Sequence, residues 1–379
     1  MRSVLGLGVL LAPFALGHPL ESVTELAKRQ ANMDITILQF ALTLEHLENV
    51  FYKGALQNFT SQDFMDTGYG PNYYNNLQYI ASDEESHVKF LTGAISAAGA
   101  DPVAACTYNF PYIDVASFIT LSTMLEGVGT SAYLGGAPLI TSKDYLTAAG
   151  SILVTEALHT SLQRNAIKAV PNANPYGTPL DPMSVFTLAA AFIVSCPASN
   201  AALPFTAFPS LAYNGPSCYC EGPICSSYLF EKRDDLSTWH DVSLATDMSA
   251  SSKTEDTSSM MTKTETSYSS KTASPAATAT ASCKPPSAGA TVSFTAGSSI
   301  PTGSFVTFVS GLMVVSVPGS VSDMTVSATI PAGISGQTYV MVTSRDVEGS
   351  IDDTAILFGP AILEVQPPPP SVDFGYLKE

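Results

Sequence analysis

The sequence contains the spacing Glu-x-x-His twice, at Glu84 and His87 and at Glu156 and His159. Residues three apart in an α-helix lie one turn apart on the same face, so each pair offers an oxygen and a nitrogen ligand to one ion. Fifteen of the 379 residues are glutamate, so chance places a glutamate at this spacing before about 4% of histidines, yet two of the five histidines have one. The pattern therefore predicts two helices that each present a pair of metal ligands.

Apolar residues recur at helical spacing from Asp34 to about Cys196, which predicts four long helices and a fifth, almost wholly apolar one. Short connections between long helices favour a bundle. The predicted helices run from an N-cap at Asp34 to about Leu56, from about Tyr73 to Ala98, from an N-cap at Asp114, from a capping box at Thr141–Asp144, and from about Pro182 to Val194.

Each of the four long helices carries a glutamate on the stripe that should be apolar. An isolated carboxylate buried in a protein core costs many kcal/mol, so four of them in one bundle need compensation. Two divalent cations would balance the four negative charges, and neutral imidazoles would add none. The glutamates are Glu45, Glu84, Glu126 and Glu156.

Imidazole and carboxylate ligands suit iron or manganese, and they also suit zinc, so the types of ligand do not name the metal.

Two tyrosines repeat with the single glutamates: Tyr52 follows Glu45 by seven residues and Tyr133 follows Glu126 by seven. This match indicates that the two helix pairs are copies related by a pseudo-twofold axis. The tyrosines could donate hydrogen bonds to the ligands or act as redox-active phenols, and packing as ordinary buried aromatic residues is the alternative. Glu48, one turn from Glu45, is an alternative ligand; the other interpretation is an exposed carboxylate or one that contacts the ligands.

The other histidines are not expected to bind metal. Glu85 and His46 fall off the apolar stripes and are predicted to be solvated. His18 lies in the N-terminal leader and His240 lies in a linker.

Residues 1–17 have the basic start, apolar run and small-residue end of a secretory signal peptide. The dibasic pair Lys28 and Arg29 resembles a processing site that would make residues 18–29 a propeptide, although two solvated basic residues are the alternative. Asn58 begins the sequence's one N-glycosylation motif. No later segment has the length of a membrane span, so we expect a protein without membrane association that is secreted to the extracellular space or the cell wall.

The composition and the residue pattern of the chain change after the predicted helices. Residues 30–230 are assigned to the helical bundle, 231–283 to a disordered Ser/Thr-rich linker, 284–366 to a small all-β sandwich-like domain, and 367–379 to a polar tail. Between residues 248 and 282, 18 of 35 residues are Ser or Thr, which is typical of an O-glycosylated stalk. The short β-type runs beyond residue 283 are separated by Pro, Gly and Ser, as in a sandwich.

The six cysteines are expected to form disulfides, because their spacing supplies no complete metal site and the chain is predicted to be exported. Their pairing is left open. The net charge of −17, from 33 acidic and 16 basic residues, argues against a nucleic-acid partner, since phosphate binding requires a basic face.

Five segments, two of which contain the Glu-x-x-His pairs, form a wider pattern: Ala41–Glu48 with Phe51 and Tyr52, Glu84–Val88, Glu126–Gly135, Glu156–His159 and Val185–Ala189. They resemble the ferritin-like di-iron or di-manganese carboxylate superfamily, and more narrowly secreted fungal ferritin-like proteins of the Rds type, related to late-sexual-development and desiccation proteins. The resemblance covers about residues 34–228 and implies an all-α ferritin-like four-helix bundle with two ions, in which one or two of the glutamates bridge both. It implies that the first ion is held by Glu45, Glu84 and His87, and the second by Glu126, Glu156 and His159.

The resemblance implies a stress- or development-associated protein that oxidises Fe(II) or removes peroxide, with O2 or H2O2 as small-molecule substrates. The alternative is a non-catalytic extracellular or cell-wall protein whose bundle is stabilised by a structural metal pair, with association to the wall or matrix. Whether the chain is an enzyme stays open at this point, and so does its assembly into a homo-oligomer.

Overall fold

A computed structural model describes residues 23–215 and 284–371, with side chains from residue 32 onward. The predicted signal peptide and Ser/Thr-rich linker lie outside the described residues, as do Cys218, Cys220, Cys225 and Cys283. Within the described residues, no helix is long and apolar enough to cross a membrane. The helices are α1 (Val23–Asn58), α2 (Ser61–Asp66), α3 (Pro71–Ala97), α4 (Val115–Gly136), α5 (Lys143–Ala166) and α6 (Pro182–Ala190).

The four long helices α1, α3, α4 and α5 form the predicted bundle. Helix α1 packs against α3, and α4 packs against α5, so two helical hairpins face each other. Positions predicted for the apolar stripes, including Leu77 and Ile80, are buried. An aromatic cluster fills one end of the bundle, where the rings of Phe51 and Phe118 stack with centroids 5.0 Å apart. Burial of these large side chains supplies most of the stabilisation of such a bundle.

Two predicted helix starts are confirmed. The Asp114 carboxylate accepts a hydrogen bond from the backbone N–H of Ser117 at 2.8 Å, and the Ser117 hydroxyl accepts one from the backbone N–H of Asp114. The fourth long helix also starts where predicted, but the capping box expected at Thr141–Asp144 is wrong: Ser142 is the N-cap of α5 and accepts a hydrogen bond from the backbone N–H of Tyr145. Both caps satisfy N–H groups that have no partner inside the helix.

The prediction that Asp34 caps the first helix is wrong, because α1 already begins at Val23 and Asp34 lies inside it. Its buried carboxylate instead accepts hydrogen bonds from the backbone N–H groups of Thr141 and Ser142, at 2.6 and 3.0 Å. Asp34 therefore fixes the start of α5 from a position more than 100 residues earlier. The pair Lys28 and Arg29 lies within the backbone of α1.

Helix α6 ends at Ala190, four residues before its predicted end, because the following residues form a strand. This strand, β2 (Ile193–Ser195), pairs with β1 (Thr107–Tyr108). Cys106 and Cys196, beside the two strands, form a disulfide. The disulfide links the segment before α4 to the segment after α6, which closes the helical region on itself.

The remaining strands of the described residues are β3 (Leu211–Tyr213), β4 (Thr291–Ala296), β5 (Phe305–Ser310), β6 (Met313–Pro318), β7 (Ser320–Ser322), β8 (Thr325–Thr329), β9 (Gly336–Thr343) and β10 (Ile356–Val365). They form two antiparallel sheets of four strands each, in the orders β10-β9-β5-β6 and β3-β4-β8-β7. Apolar side chains from both sheets meet in one core, including Phe294 and Val326 from one sheet and Phe308, Val340 and Leu363 from the other. The expected sandwich-like arrangement is confirmed.

Strand β3 precedes the Ser/Thr-rich segment in sequence but belongs to the sandwich. It pairs antiparallel with β4, with Leu211 opposite Ala296 and Tyr213 opposite Phe294. The sequence-based boundary at residue 230 groups this strand with the helices, whereas its hydrogen bonds lie with the sheet. Three residues carry too little periodicity to be recognised as a strand from the sequence.

The sandwich contacts the bundle through buried polar groups as well as apolar ones. The Tyr339 hydroxyl on β9 donates a hydrogen bond to the backbone carbonyl of Gly127 on α4, at 2.9 Å. The Arg164 guanidinium on α5 pairs with both carboxylate oxygens of Glu364 on β10, at 2.7 and 3.1 Å. Both charged residues are more than 90% buried. The sandwich is therefore joined to helices α4 and α5 by specific contacts.

Candidate metal centre

The six predicted ligands meet in the middle of the bundle. Each long helix contributes through its inward stripe: α1 and α4 one glutamate each, and α3 and α5 one Glu-x-x-His pair each. The four glutamates are fully buried, and the two histidines are at most 8% exposed. The residues brought together are Glu45, Glu84, His87, Glu126, Glu156 and His159.

The ligand atoms divide into two groups, and in each group they lie within 4.8 Å of one another. Glu84 and Glu156 belong to both groups. One or two bridging glutamates are predicted from the sequence, with Glu84 assigned only to the first ion and Glu156 only to the second. The structure places both Glu-x-x-His glutamates between the two positions, with Glu45 and His87 on one side and Glu126 and His159 on the other.

Histidine Nδ1 atoms face the carboxylates on both sides. The Nδ1 atom of His87 lies 3.2 Å from Glu45 and 3.3 Å from Glu156. The Nδ1 atom of His159 lies 3.0 Å from Glu84 and 3.5 Å from Glu126. These separations leave each ring nitrogen beside several carboxylate oxygens, which is the arrangement that a shared cation would hold together.

Several ligand atoms are buried without a hydrogen-bond partner. They include both carboxylate oxygens of Glu84 and of Glu156, together with Oε2 of Glu126 and Nδ1 of His159. A buried polar atom without a partner costs about 1–3 kcal/mol, and native proteins keep few of them. Their concentration at one point, in a set of carboxylate and imidazole donors, fits a pair of divalent cations.

The pKa values of the carboxyl groups in the centre shift in different directions. Burial raises the pKa of Glu45 to about 8, although the contact with His87 opposes the shift. Burial also raises the pKa of Glu156 well above its usual value, with the nearby Glu84 adding to the effect. For Glu84 burial acts in the same direction, but the contacts with His159 and His87 outweigh it and lower its pKa to about 2.

The neighbouring carboxylates raise the pKa values of both histidines. Burial disfavours the imidazolium form of His87, but the contacts with Glu156, Glu45 and Glu84 outweigh it and raise its pKa to about 12. The carboxylates of Glu126 and Glu84 likewise raise the pKa of His159 to about 12 against the effect of burial. Without metal, protons therefore balance the negative charge of the centre. Cations must displace those protons, so metal affinity should rise with pH.

The two tyrosines cross between the helices that carry the single glutamates. The Tyr52 hydroxyl on α1 donates a short hydrogen bond to Glu126 on α4, and the Tyr133 hydroxyl on α4 donates one to Glu45 on α1. Each tyrosine thus orients the glutamate of the other helix, as the pseudo-twofold relation requires. Burial, followed by the adjacent carboxylate, raises the pKa of each phenol well above its usual value, so both remain donors at neutral pH.

Glu48 is buried beside the centre but lies outside both groups of ligand atoms. Burial raises its pKa well above the usual value, and the charge of Glu156 is the largest electrostatic contribution. The carboxylates of Glu48 and Glu156 both approach Gly129 on α4: a Cβ at this position would lie 2.8 Å from an oxygen of Glu48 and 2.7 Å from an oxygen of Glu156. Glu48 therefore lies beside the ligand Glu156, on the side of the centre that faces Gly129.

Two side chains outside the predicted ligand set hold the site in place. Asp83 lies 3.3 Å from Nε2 of His159, on the opposite side of the ring from the centre. Gln163 donates a hydrogen bond to the Tyr52 hydroxyl at 3.1 Å and accepts one from Tyr73. Carboxylate and amide partners of this kind orient ligands and set the histidine tautomer. Gln163 follows His159 by one helical turn, so its position on the inward stripe was visible in the sequence.

Of the two residues expected to be solvated, one lies at the surface and the other is half-buried. Glu85 lies at the surface and forms ion pairs with Lys53 and Lys89. His46 is not solvated as predicted: it is half-buried, and its Nε2 atom lies 3.0 Å from the backbone carbonyl of Val103. The segment between α3 and α4 covers this face of α1, and burial lowers the pKa of His46. His18 and His240 lie outside the described residues.

Two glycines of α4 allow a paired experiment, since only one of them adjoins the centre. Gly129→Ala should weaken metal binding by about 10–100-fold, because the new Cβ would displace the carboxylates of Glu48 and Glu156. At Gly127 the new Cβ would meet the Gln337 side chain of β9 instead, 2.4 Å away. Gly127→Ala should therefore leave the metal content unchanged.

Both substitutions add the same methyl group to the same helix, where alanine is intrinsically favoured over glycine by about 1 kcal/mol. Metal titration of the two purified variants, followed by mass spectrometry of bound metal, compares them directly. Equal metal affinity in the two variants would contradict the proposed role of Gly129.

Comparison with known proteins agrees with this geometry. Residues 33–169 match the family model for the ferritin-like domain. This segment contains the four long helices from Met33 onward and all six clustered residues, so the helical region matches the ferritin-like domain.

Among characterised proteins, the chain is similar to Protein rds1 of the fission yeast Schizosaccharomyces pombe, with 26% identity over 190 residues. The match covers 49% of this chain and 46% of rds1, so the chain spans about half the length of that relative. The chain is therefore similar to rds1 over about half its length and matches the ferritin-like domain within its helical region. Among solved structures, a conserved hypothetical protein of Mycobacterium tuberculosis, rv2844, matches with 17% identity and a TM-score of 0.32, over 37% of this chain and 94% of that one.

Proposed function

We propose that this protein holds a di-iron or di-manganese centre and uses it to oxidise Fe(II) or to remove peroxide, with O2 or H2O2 as the oxidant. The observation that carries the proposal is the sharing of Glu84 and Glu156 between two groups of buried ligands. Two shared carboxylates keep two cations close together, which favours reaction of both with one small molecule. When bound, a pair of redox-active ions would supply two electrons to one oxidant.

The chain's own residues determine how the centre would be held. Glu84 and Glu156 would bridge the ions, while Glu45 and Glu126 would each bind one side. Tyr133 and Tyr52 donate hydrogen bonds to these two outer carboxylates and so hold one oxygen of each in place. The histidines would bind as neutral imidazoles, with His159 oriented by Asp83 on its far nitrogen.

The burial of the centre limits which substrates reach it. All four glutamate ligands are fully buried, so a large substrate could not contact the ions directly. Molecules of the size of O2 and H2O2 can pass through local fluctuations of a packed bundle. The carboxylate-rich ligand set favours iron or manganese over softer metals, although zinc is compatible with the same atoms.

We propose that the protein is secreted to the extracellular space or the cell wall. The apolar run near the N-terminus supports this, and so does the disulfide between Cys106 and Cys196, since disulfides persist mainly in oxidising compartments. Asn58 of the glycosylation motif is exposed at the end of α1, where a glycan could be attached. The resemblance to stress- and development-associated proteins is consistent with a role in the wall or matrix.

The activity can be tested by assaying Fe(II) oxidation and peroxide disproportionation on the metal-loaded full chain. Wild type should show one of these activities. Glu84→Ala and Glu156→Ala should reduce it to background. Glu85→Ala is the matched control, because Glu85 is adjacent in sequence but pairs with lysines at the surface. Equal rates in wild type and the two ligand variants would contradict a catalytic centre.

A non-catalytic role is the second candidate. The ligands come from all four long helices, so bound metal would tie the whole bundle together without any turnover. In that case metal would raise the melting temperature of the wild type, and neither oxidation assay would exceed the rate of free metal in buffer.

A further inference from the structure

An apolar cavity of about 310 Å³ lies between the bundle and the sandwich. Leu47 of α1, Met124 of α4 and Leu188 of α6 line it on the helical side, and Leu211 of β3 and Ile362 of β10 line it on the other. Cavities of this size hold small organic molecules, and they occur preferentially where two packing units meet. The sandwich thus completes a cavity that the helices alone would leave open.

The cavity extends from the surface towards the metal centre. Ala191, Ala207 and Ser210, which line one end, are exposed. Glu48, which is buried, and Gly129 also line the cavity, and the carboxylates of Glu48 and Glu156 both approach Gly129. The inner part of the cavity therefore lies beside the ligand Glu156.

The lining determines which molecules fit. Glu48 is the one ionisable side chain among the described lining residues, and most of the rest are aliphatic. A buried carboxyl group can exchange a hydrogen bond with a hydroxyl group, whereas an anionic head group would lose its hydration without meeting a cationic side chain in the part of the lining that the structure describes. An apolar lining favours an alkyl chain, because burial removes that chain from water.

We propose that this cavity binds an uncharged aliphatic molecule, such as a medium-chain alcohol, with its polar end towards Glu48. None of the six metal ligands lines the cavity, so binding does not depend on the metal centre. The sandwich then has a defined role: its strands β3 and β10 form the wall that encloses the alkyl chain.

The test is calorimetric titration of the full chain with 1-octanol and with octanoate. Burial of an eight-carbon chain predicts a dissociation constant for 1-octanol on the order of 10–100 μM, at one molecule per chain. Octanoate, which has the same chain length with an anionic head, should bind at least about tenfold more weakly. Failure of 1-octanol to bind below about 1 mM would overturn the proposal.

Cavity-filling variants locate the binding. Ala190→Phe at the end of α6 and Ala207→Trp at the exposed end should each weaken 1-octanol binding by at least about tenfold, because the new ring occupies the cavity. Ala97→Phe, at an exposed position at the end of α3, is the control and should bind like the wild type. Unchanged binding in both Ala190→Phe and Ala207→Trp would show that the alcohol binds elsewhere.

The role of Glu48 has its own readout. Glu48→Leu removes the polar group at similar volume, so 1-octanol should bind about fivefold or more weakly, because its hydroxyl loses a hydrogen-bond partner. Unchanged affinity would contradict the orientation of the polar end towards Glu48. Glu84→Ala, which alters the metal centre, should still bind 1-octanol, so loss of metal and loss of alcohol binding can be told apart.

Discussion

Replacing Glu84 or Glu156 with alanine should remove both metal ions from the chain, whereas replacing Glu45 or Glu126 should remove one. The reason is geometric, since Glu84 and Glu156 contribute to both groups of ligand atoms and the other two glutamates contribute to one group each. Loss of a shared carboxylate leaves each ion with too few protein ligands. Loss of an outer carboxylate leaves the opposite ion with its complete set.

Elemental analysis of chains expressed with iron and manganese gives the measurement. Wild type should contain close to two ions, the outer-glutamate variants about one, and the shared-glutamate variants close to none. Glu85→Ala should match the wild type, because its side chain faces Lys53 and Lys89 at the surface. Equal losses from all four ligand variants would contradict the sharing of Glu84 and Glu156.

Thermal unfolding with and without metal separates ligand loss from misfolding. Metal at about 100 times its dissociation constant contributes about 2.7 kcal/mol per site, so saturating metal should raise the melting temperature of the wild type by several degrees. A folded Glu84→Ala variant should unfold at the same temperature with and without metal. A metal-dependent shift in that variant as large as in the wild type would indicate that the ions bind elsewhere.

The ligand set could be predicted from the sequence because its signal is local and physically costly. Helical spacing places Glu84 with His87 and Glu156 with His159 on one face, and burial of uncompensated carboxylates is too unfavourable to occur by chance. Glu45 and Glu126 were recognised in the same way, as charges on stripes that should be apolar. All six residues lie together in the structure.

The division of those ligands between two ions could not be predicted. It depends on the offset and rotation of α3 against α5, which spacing within one helix does not contain. The crossed hydrogen bonds of Tyr52 and Tyr133 have the same origin, since each hydroxyl reaches a glutamate more than 70 residues away. Gln163 is different: it lies one turn after His159, and an inward amide at that position was an available signal.

Contacts between distant segments account for the other differences. Asp34 fits the N-cap preference by type, but its carboxylate binds the start of α5 rather than the start of its own helix. Strand β3 was missed because three residues carry almost no pattern. Nothing local in the sequence indicates that β9 and β10 pack against α4 and α5, because the apolar pattern of a buried face does not depend on which element covers it.

Glu364→Ala should destabilise the protein by about 3–5 kcal/mol, the largest effect expected from a single change outside the metal centre. Glu364 on β10 is 7% exposed and Arg164 on α5 is 4% exposed. The two side chains form a bidentate ion pair with two hydrogen bonds. Truncation would leave the Arg164 guanidinium buried with its hydrogen bonds to the carboxylate lost. Glu348→Ala, at an exposed position of the same domain, should change stability by less than about 0.5 kcal/mol.

Urea unfolding of the wild type, both single variants and the double variant Arg164→Met/Glu364→Leu gives the free energies. The double variant should recover most of the loss, because two apolar side chains of similar volume leave no charge unpaired. If Glu364→Ala costs no more than Glu348→Ala, the ion pair does not stabilise the contact between sandwich and bundle. Because the sandwich also forms one wall of the cavity, Glu364→Ala should weaken 1-octanol binding while a folded bundle retains its metal.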